Sequence, residues 1–255
     1  MKAALRAVAS AAALCLGVLI SSGAAIGAEF TLVSTAGPLP EVLGALTPMF
    51  EKASGHKVKL SVKAAPAIVK DVKDGAAIDL IIANAEPVEE LAKDGNIPTG
   101  ASSRIWLSRV GVAVRAGAPK PDISTADAFK AALVAAKSVA YSQGSSGQHF
   151  LTVVARLGLV EVIKSKAIIT QGRPVGAAVA SGEAEIGVQQ VAELLPVAGI
   201  TFVGPLPGDL QKIIAYSAGV PAKAKEADAA KAFVKFLSSE AAVSVVKKMG
   251  MDPAS

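Results

Sequence analysis

The chain alternates short apolar strands with amphipathic helices, and a loop of small or neutral polar residues joins each strand to the next helix. The first unit has a strand at 30–33, a loop at 34–37 and apolar residues at helical spacing over 39–50. A later unit has a strand ending at Tyr141, followed by a helix predicted over 148–157. Repeated strand–loop–helix units predict an α/β fold built on parallel sheets.

The chain contains more of these units than one small sheet needs, so we expect two α/β lobes. A long alternating segment at 104–114 is predicted to carry the chain from the first lobe to the second. A turn-rich linker near residue 206 is predicted to bring it back to the first lobe. The first lobe is then formed by 29–110 and 206–255, and the second by 111–205. The last two predicted helices should pack on the first lobe.

The amino terminus has the organisation of a secretory signal peptide. Lys2 and Arg6 form a positive start, 7–20 is apolar without a charge, and small residues follow. This order predicts a signal peptide over 1–28, cleaved after Ala28 or Ala25. We therefore expect an exported, periplasmic protein.

Composition excludes several classes of function. Cys15 is the only cysteine and lies in the predicted signal peptide, so the exported chain should have no disulfides. Loss of Lys2 and Arg6 lowers the formal charge from +5 to +3, and with few aromatics and no arginine-rich run we expect no nucleic-acid binding. No metal-spaced His/Cys cluster, Ser/His/Asp arrangement or phosphate-binding glycine motif is present. We expect a monomer without a metal or a cofactor.

Five loops lie where ligands bind in open α/β sheets, beyond the carboxyl ends of strands and beside helix N-termini. They contain no carboxylate, and free N–H groups at helix N-termini favour an anion. Arg173 carries their only full positive charge, and its guanidinium matches a carboxylate. Taken singly, each loop is equally explained as an ordinary turn or helix cap. The residues expected to bind the anion are Ser34, Thr35, Ala36, Gly37, Ala65, Pro66, Asn84, Ser142, Ser145, Ser146, Gly147, Arg173, Pro174, Gln189 and Gln190.

Several segments carry a resemblance to a known family. They are the strand–Ser34–helix opening with 50–58, then 77–83, 180–187 and 230–240. They resemble the periplasmic solute-binding proteins of ABC importers, in the molybdate-binding-like branch with the type II periplasmic binding protein fold. The resemblance covers essentially the whole mature chain. It implies two hinged lobes that close over a small anionic ligand, and an ABC transporter permease as partner.

The sequence departs from the oxyanion pattern of that branch. Ser34 matches the first hydroxyl ligand of molybdate binders, but the loop at 64–66 offers no serine for the second. Residues 189–190 are glutamines where the branch has a tyrosine. With two of three hydroxyls missing, Arg173 and the hydroxyl-rich 142–146 loop suit a larger organic anion.

A second resemblance narrows the ligand. Segments 113–124, 138–147 and 174–183, with glutamines at 189–190, look like the group that includes bacterial aconitate isomerase. This resemblance implies a tricarboxylate ligand and a proton shift between cis- and trans-aconitate.

An isomerase of this kind needs a base. His149, in the first turn after Gly147, is the best candidate, with Tyr141 second and Glu193 a further one. The alternatives are a surface histidine, a packed tyrosine and a solvated glutamate; His56 is remote from the loops. The leading hypothesis is an exported binder of a di- or tricarboxylate such as aconitate or citrate, serving an ABC importer. Aconitate isomerase is second, and a molybdate, tungstate or sulfate carrier third.

Overall fold

The computed structural model describes residues 27–254. The predicted signal peptide, with Cys15, lies outside the described residues except for its last two positions. The strands are β1 (Glu29–Ser34), β2 (Lys57–Val62), β3 (Leu80–Asn84), β4 (Ser102–Arg115), β5 (Val139–Ser142), β6 (Ala167–Thr170), β7 (Ile186–Gln190), β8 (Ile200–Pro205), β9 (Ile213–Gly219) and β10 (Met251–Pro253). The helices are α1 (Leu39–Ser54), α2 (Ala65–Lys73), α3 (Ala85–Lys93), α4 (Ala126–Ala135), α5 (Ser145–Arg156), α6 (Val160–Lys164), α7 (Val175–Ala180), α8 (Val191–Leu194), α9 (Ala227–Phe236) and α10 (Glu240–Lys248). Within the described range, no helix is long and apolar enough to span a membrane.

Each lobe is built around three parallel strands. In the first lobe β2, β1 and β3 lie side by side, and β9 pairs antiparallel with β3. In the second lobe β6, β5 and β7 lie side by side in the same way. Each of these six strands leads into a helix, so six strand–helix loops lie at the carboxyl edges of the two sheets.

Strand β4 belongs to both lobes. Its first part, Ser102 to Arg109, pairs antiparallel with β9, and its second part, Val110 to Val114, pairs antiparallel with β7. Strand β8 also pairs with the second part, and β10 with the first. The chain thus passes from one sheet to the other at Arg109–Val110, within a single strand.

The carboxyl-terminal helices pack on the first lobe through aromatic side chains. The ring of Phe233 on α9 lies 5.8 Å from Phe30 of β1 and 5.0 Å from Phe50 of α1, measured between ring centroids. All three side chains are buried. Fully buried aromatic side chains contribute strongly to stability, so this cluster fixes the end of the chain to the lobe where the described chain begins.

Three features differ from the sequence predictions. Helix α5 begins at Ser145, three residues earlier than expected, because the small residues 145–147 continue the helix toward the strand end. Residues 124–127 have the pattern of a capping box that begins at Ser124, but the N-cap of α4 is Thr125, whose hydroxyl accepts a hydrogen bond from the Ala128 N–H at 3.1 Å. The short elements α6, α8 and β10 were not predicted, since segments of three to five residues show too little periodicity.

Candidate functional site

A cleft of about 750 Å³ lies between the lobes, at the carboxyl ends of the six parallel strands. Residues that follow β1, β2 and β3 line one wall, and residues that follow β5, β6 and β7 line the other. Twelve of the fifteen residues expected to bind the ligand line this cleft, although ligand contact itself stays a prediction. They are Thr35, Ala36, Gly37, Ala65, Asn84, Ser142, Ser145, Ser146, Arg173, Pro174, Gln189 and Gln190.

Three expected ligand residues lie behind or beside the cleft wall. Ser34 is fully buried directly before Thr35. Pro66, in the first turn of α2, lines a separate surface depression with Lys70. A Cβ on Gly147 would lie 1.6 Å from the Ser142 carbonyl oxygen, so this glycine allows α5 to begin against the end of β5. We therefore assign Gly147 a packing role.

Six helices begin at the cleft: α1, α2, α3, α5, α7 and α8. Their N-cap residues all line it, and none of these caps, in the part of the chain that is described, accepts a hydrogen bond through its side chain. By contrast, α4 and α10 lie elsewhere and are capped by the hydroxyls of Thr125 and Ser239. The Val175 N–H of α7 donates to Gln189 Oε1, but uncapped N-termini otherwise leave backbone N–H groups free and concentrate positive potential, so the cleft suits an anion.

Four buried hydroxyls lie at the same strand ends. Ser34 and Thr35 come from the first lobe, and Ser146 and Thr170 from the second. Each is at most 6% exposed, and none of the four oxygens has a hydrogen-bond partner among residues 27–254. Buried hydroxyls are nearly always satisfied, so four exceptions around one cleft indicate donors kept for a ligand. Thr170 escaped the sequence analysis, although its position at the end of β6, beside the predicted 171–174 loop, was a usable signal.

The carboxyl group of Glu193 also lies in the cleft. Glu193 is half-buried, and its Oε1 accepts a hydrogen bond from Gln189 Nε2 at 2.7 Å. Burial raises the pKa of Glu193 to about 7, and hydrogen bonds from Gln189 and Gln190 oppose this effect only in part. The interpretation of Glu193 as a solvated helix carboxylate is therefore wrong, because its helix is a single turn that points into the cleft.

A tyrosine enters the cleft from β9. The hydroxyl of Tyr216 donates to Gln190 Oε1 at 2.9 Å, and both side chains are buried. Burial raises the pKa of Tyr216, so the phenol stays protonated at neutral pH. The cleft thus contains a tyrosine hydroxyl although residues 189–190 are glutamines. This hydroxyl comes from Tyr216, 26 residues after Gln190.

Charged side chains of both signs line the cleft. Arg173 lies at its rim and forms an ion pair with Glu183, both nearly half exposed, so its guanidinium already has a carboxylate partner within the chain. The five loops contain no carboxylate, yet three carboxylates among the described residues project into the cleft from the helices that follow. The lining side chains with a charge are Glu41, Lys63, Glu86, Arg173, Glu193 and Lys212.

The two preferred base candidates are turned away from the cleft, which corrects the sequence prediction. His149 Nε2 lies 2.7 Å from the carbonyl oxygen of Leu210, on the linker between the lobes. Tyr141 is buried in β5 against Phe150, and burial raises the pKa of its phenol. Neither residue lines the cleft. Both are occupied by packing contacts that α5 makes with its neighbours.

His56 is a structural residue: its Nδ1 accepts from the Ala28 N–H at 3.0 Å, and its ring stacks on Phe50. Over residues 27–254, no group of three or more His, Cys, Asp or Glu side chains is arranged to hold a metal ion.

Known proteins share this architecture. The profile of the bacterial extracellular solute-binding protein family matches residues 31–252. An aconitate isomerase from a Pseudomonas species is 35% identical over 229 residues, which cover 87% of each chain. The molybdate-binding protein ModA of Azotobacter vinelandii is 28% identical over 240 residues, covering 89% of this chain and 87% of that protein.

The solved structure of the Azotobacter vinelandii periplasmic molybdate-binding protein superposes with a TM-score of 0.70 at 20% identity, over 88% of this chain and all of that one. A likeness at this identity is evidence of fold. It confirms the predicted α/β class and the two-lobed periplasmic binding protein architecture.

Proposed function

The chain belongs to the bacterial extracellular solute-binding protein family, and from this premise we propose that it captures a small organic anion in the cleft between its lobes. The ligand class is a di- or tricarboxylate such as aconitate or citrate. The observation that carries this proposal is the set of four buried hydroxyls without partners, Ser34, Thr35, Ser146 and Thr170. Three of them line the cleft, Thr35 from the first lobe and Ser146 and Thr170 from the second, so a ligand bonded to these three connects the lobes.

The cleft favours a carboxylate over a tetrahedral oxyanion. The loop after β2 presents Ala64 and Ala65, which offer methyl groups where molybdate binders are expected to have a hydroxyl. Cationic side chains are spread around the cleft, with Lys63, Arg173 and Lys212 on three different loops. Separate cations match the separate carboxylates of a tricarboxylate better than they match one compact dianion. A volume of about 750 Å³ is also ample for such a ligand.

Family membership supports an exported protein that works with a transporter. The predicted signal peptide over 1–28 would deliver it to the periplasm. There it would act as a monomer and hand its ligand to the permease of an ABC importer. An ABC transporter substrate-binding lipoprotein of Bacillus subtilis is among its relatives, at 26% identity.

Isothermal titration calorimetry of the purified mature chain tests the ligand class. The panel is cis-aconitate, trans-aconitate, citrate and tricarballylate against molybdate, tungstate and sulfate. We expect saturable binding of at least one tricarboxylate and much weaker binding of the three oxyanions. Tight molybdate binding with no heat from any carboxylate would reverse the assignment.

A second candidate function is isomerisation of the captured ligand. It is favoured by the aconitate isomerase relative at 35% identity, together with a carboxyl group in the cleft whose pKa lies near neutrality. Mixing the protein with cis-aconitate in deuterated buffer and recording proton spectra tests this candidate. Appearance of trans-aconitate with deuterium in the carbon skeleton supports an enzyme, and an unchanged spectrum leaves a binding protein.

A further inference from the structure

The three carboxylates that line the described cleft differ in exposure. Glu41 and Glu86 lie in the first turns of α1 and α3 and are solvent-exposed. Glu193 lies on the single turn of α8 and is half-buried. A carboxylate that exchanges a proton with carbon must be shielded from water, because a fully hydrated carboxylate is too weak a base. Only Glu193 of the three meets this condition.

The side chain of Gln189 fixes the orientation of Glu193. Gln189 is 3% exposed, and its Oε1 accepts a hydrogen bond from the Val175 N–H at 2.9 Å. A backbone N–H can only donate, so the amide cannot be flipped, and its Nε2 must face Glu193 Oε1 at 2.7 Å. One carboxylate oxygen of Glu193, Oε1, is thereby held by Gln189.

We propose that Glu193 carries the proton in an aconitate-type isomerisation in this cleft, and that Gln189 is the positioning residue that orients it. This inference rests on the proposed capture of a tricarboxylate. It assigns the proton transfer to a side chain from the second lobe, placed directly after the strand end that carries Gln189 and Gln190.

A single carboxylate is sufficient for the whole proton shift, because it takes up one proton and returns one. Glu193 takes a proton from the methylene carbon of aconitate, and the C–H electron pair spreads over the adjacent double bond and its carboxylates. The same oxygen then returns the proton to the former vinylic carbon, so the double bond moves by one position. The new double bond is cis or trans according to the rotamer in which the ligand is held. No oxidant, metal or second reactant is needed.

Other titratable groups of the described chain are less suited. The hydroxyl of Tyr216 is a hydrogen-bond donor to Gln190, and burial keeps it protonated. His149 and Tyr141 face away from the cleft. Four elements pack on α8. Three of them, β7, α7 and β8, contain no charged residue. The charged residues of β4, the fourth packed element, are exposed: Arg104, Arg109 and Arg115.

Burial keeps Glu193 usable at neutral pH. Its pKa near 7 means that a large share of the molecules hold the carboxylate, which is also basic enough to accept a proton.

The test compares wild-type protein with Glu193→Gln and with the control Glu161→Gln, whose side chain is 84% exposed on α6. Calorimetry measures aconitate binding, and proton spectra in deuterated buffer measure exchange. We expect Glu193→Gln to bind aconitate and to exchange deuterium at least about 100-fold more slowly than wild type, the usual contribution of a general base. Glu161→Gln should behave as wild type in both assays.

A second variant tests the positioning role. Gln189→Met removes a donor that stabilises the Glu193 carboxylate, so the acid limb of the pH–rate profile should move to higher pH. A residue that merely supports the fold would lower the rate at every pH without moving the limb, and that result would overturn the role of Gln189.

The outcomes separate the two proposals. If the wild-type protein binds no tricarboxylate, the proposed capture fails and this inference fails with it. If wild type binds aconitate but exchanges no deuterium, capture stands and the role of Glu193 is overturned. Equal exchange rates in Glu193→Gln and wild type would overturn it as well.

Discussion

The side-chain amide of Gln211 forms two hydrogen bonds with the backbone of Val110, and so links the two chain segments that cross between the lobes. Its Oε1 accepts from the Val110 N–H at 2.9 Å, and its Nε2 donates to the Val110 carbonyl oxygen at 2.8 Å. Val110 is the residue where β4 changes from one sheet to the other, and Gln211 lies on the returning linker. A side chain thus adds two hydrogen bonds to the backbone at the predicted hinge.

Gln211→Ala should therefore lower the free energy of unfolding by about 1–3 kcal/mol, because it removes the acceptor of the Val110 N–H, whereas the Val110 carbonyl oxygen keeps its hydrogen bond from the Leu206 N–H. Urea unfolding followed by circular dichroism measures the change. Gln148→Ala is a matched control, since this exposed amide makes only one long contact of 3.4 Å. Equal stability of the Gln211 and Gln148 variants would show that the hinge pairing contributes nothing.

Removal of an unpaired hydroxyl from the cleft should weaken ligand binding without lowering the stability of the fold. Thr170→Val should weaken tricarboxylate binding by about 5- to 10-fold, the value of one lost hydrogen bond of about 1–1.5 kcal/mol, and should leave the melting temperature unchanged or higher. Thr47→Val is the control, because Thr47 also has a buried hydroxyl without a partner in the described structure but lies outside the cleft. Calorimetry and thermal melts measure the two quantities. Unchanged affinity in Thr170→Val would contradict a ligand role.

Glu183 and a bound carboxylate ligand would compete for the guanidinium of Arg173. Arg173→Ala should weaken carboxylate binding by about 5-fold, a modest loss because the side chain is nearly half exposed and screened. Glu183→Gln should tighten binding at low ionic strength, because it frees Arg173 from its ion pair. Calorimetry at two salt concentrations distinguishes these effects. Equal affinities in wild type and both variants would place Arg173 outside the binding site.

Stability should depend on pH through Glu193. Its pKa is raised from 4.5 to about 7 in the folded chain, so the folded state binds the proton more tightly than the unfolded state does. The protonated carboxyl group contributes its full stability below pH 4.5, and that contribution is lost as the pH rises to about 7. The loss is at most about 3.5 kcal/mol, at about 1.4 kcal/mol per pKa unit.

Glu193→Gln should therefore gain stability relative to wild type between pH 4.5 and pH 7, since glutamine does not ionise. Urea unfolding of both proteins at a series of pH values measures the difference. Parallel stability curves across this range would mean that the carboxyl group is not shielded in the folded protein.

The amino-acid sequence by itself determined the elements and the edge at which the cleft forms. Residues 57–62 alternate strictly between polar and apolar, a local signal that predicts a strand with the bounds that β2 has in the structure. The position of the cleft also followed from the sequence, because the carboxyl ends of parallel strands meet at one edge whatever the side chains are. Local patterns and strand direction were sufficient for both.

Only the tertiary structure decided what each side chain does at that edge. His149 bonds to Leu210, 61 residues away, and Arg173 pairs with Glu183, which lies between α7 and β7. The hydroxyl of Tyr216 reaches Gln190 from β9, 26 residues further along the chain. Burial, pairing and pKa depend on neighbours that are distant along the chain, and a local sequence pattern contains no information about them.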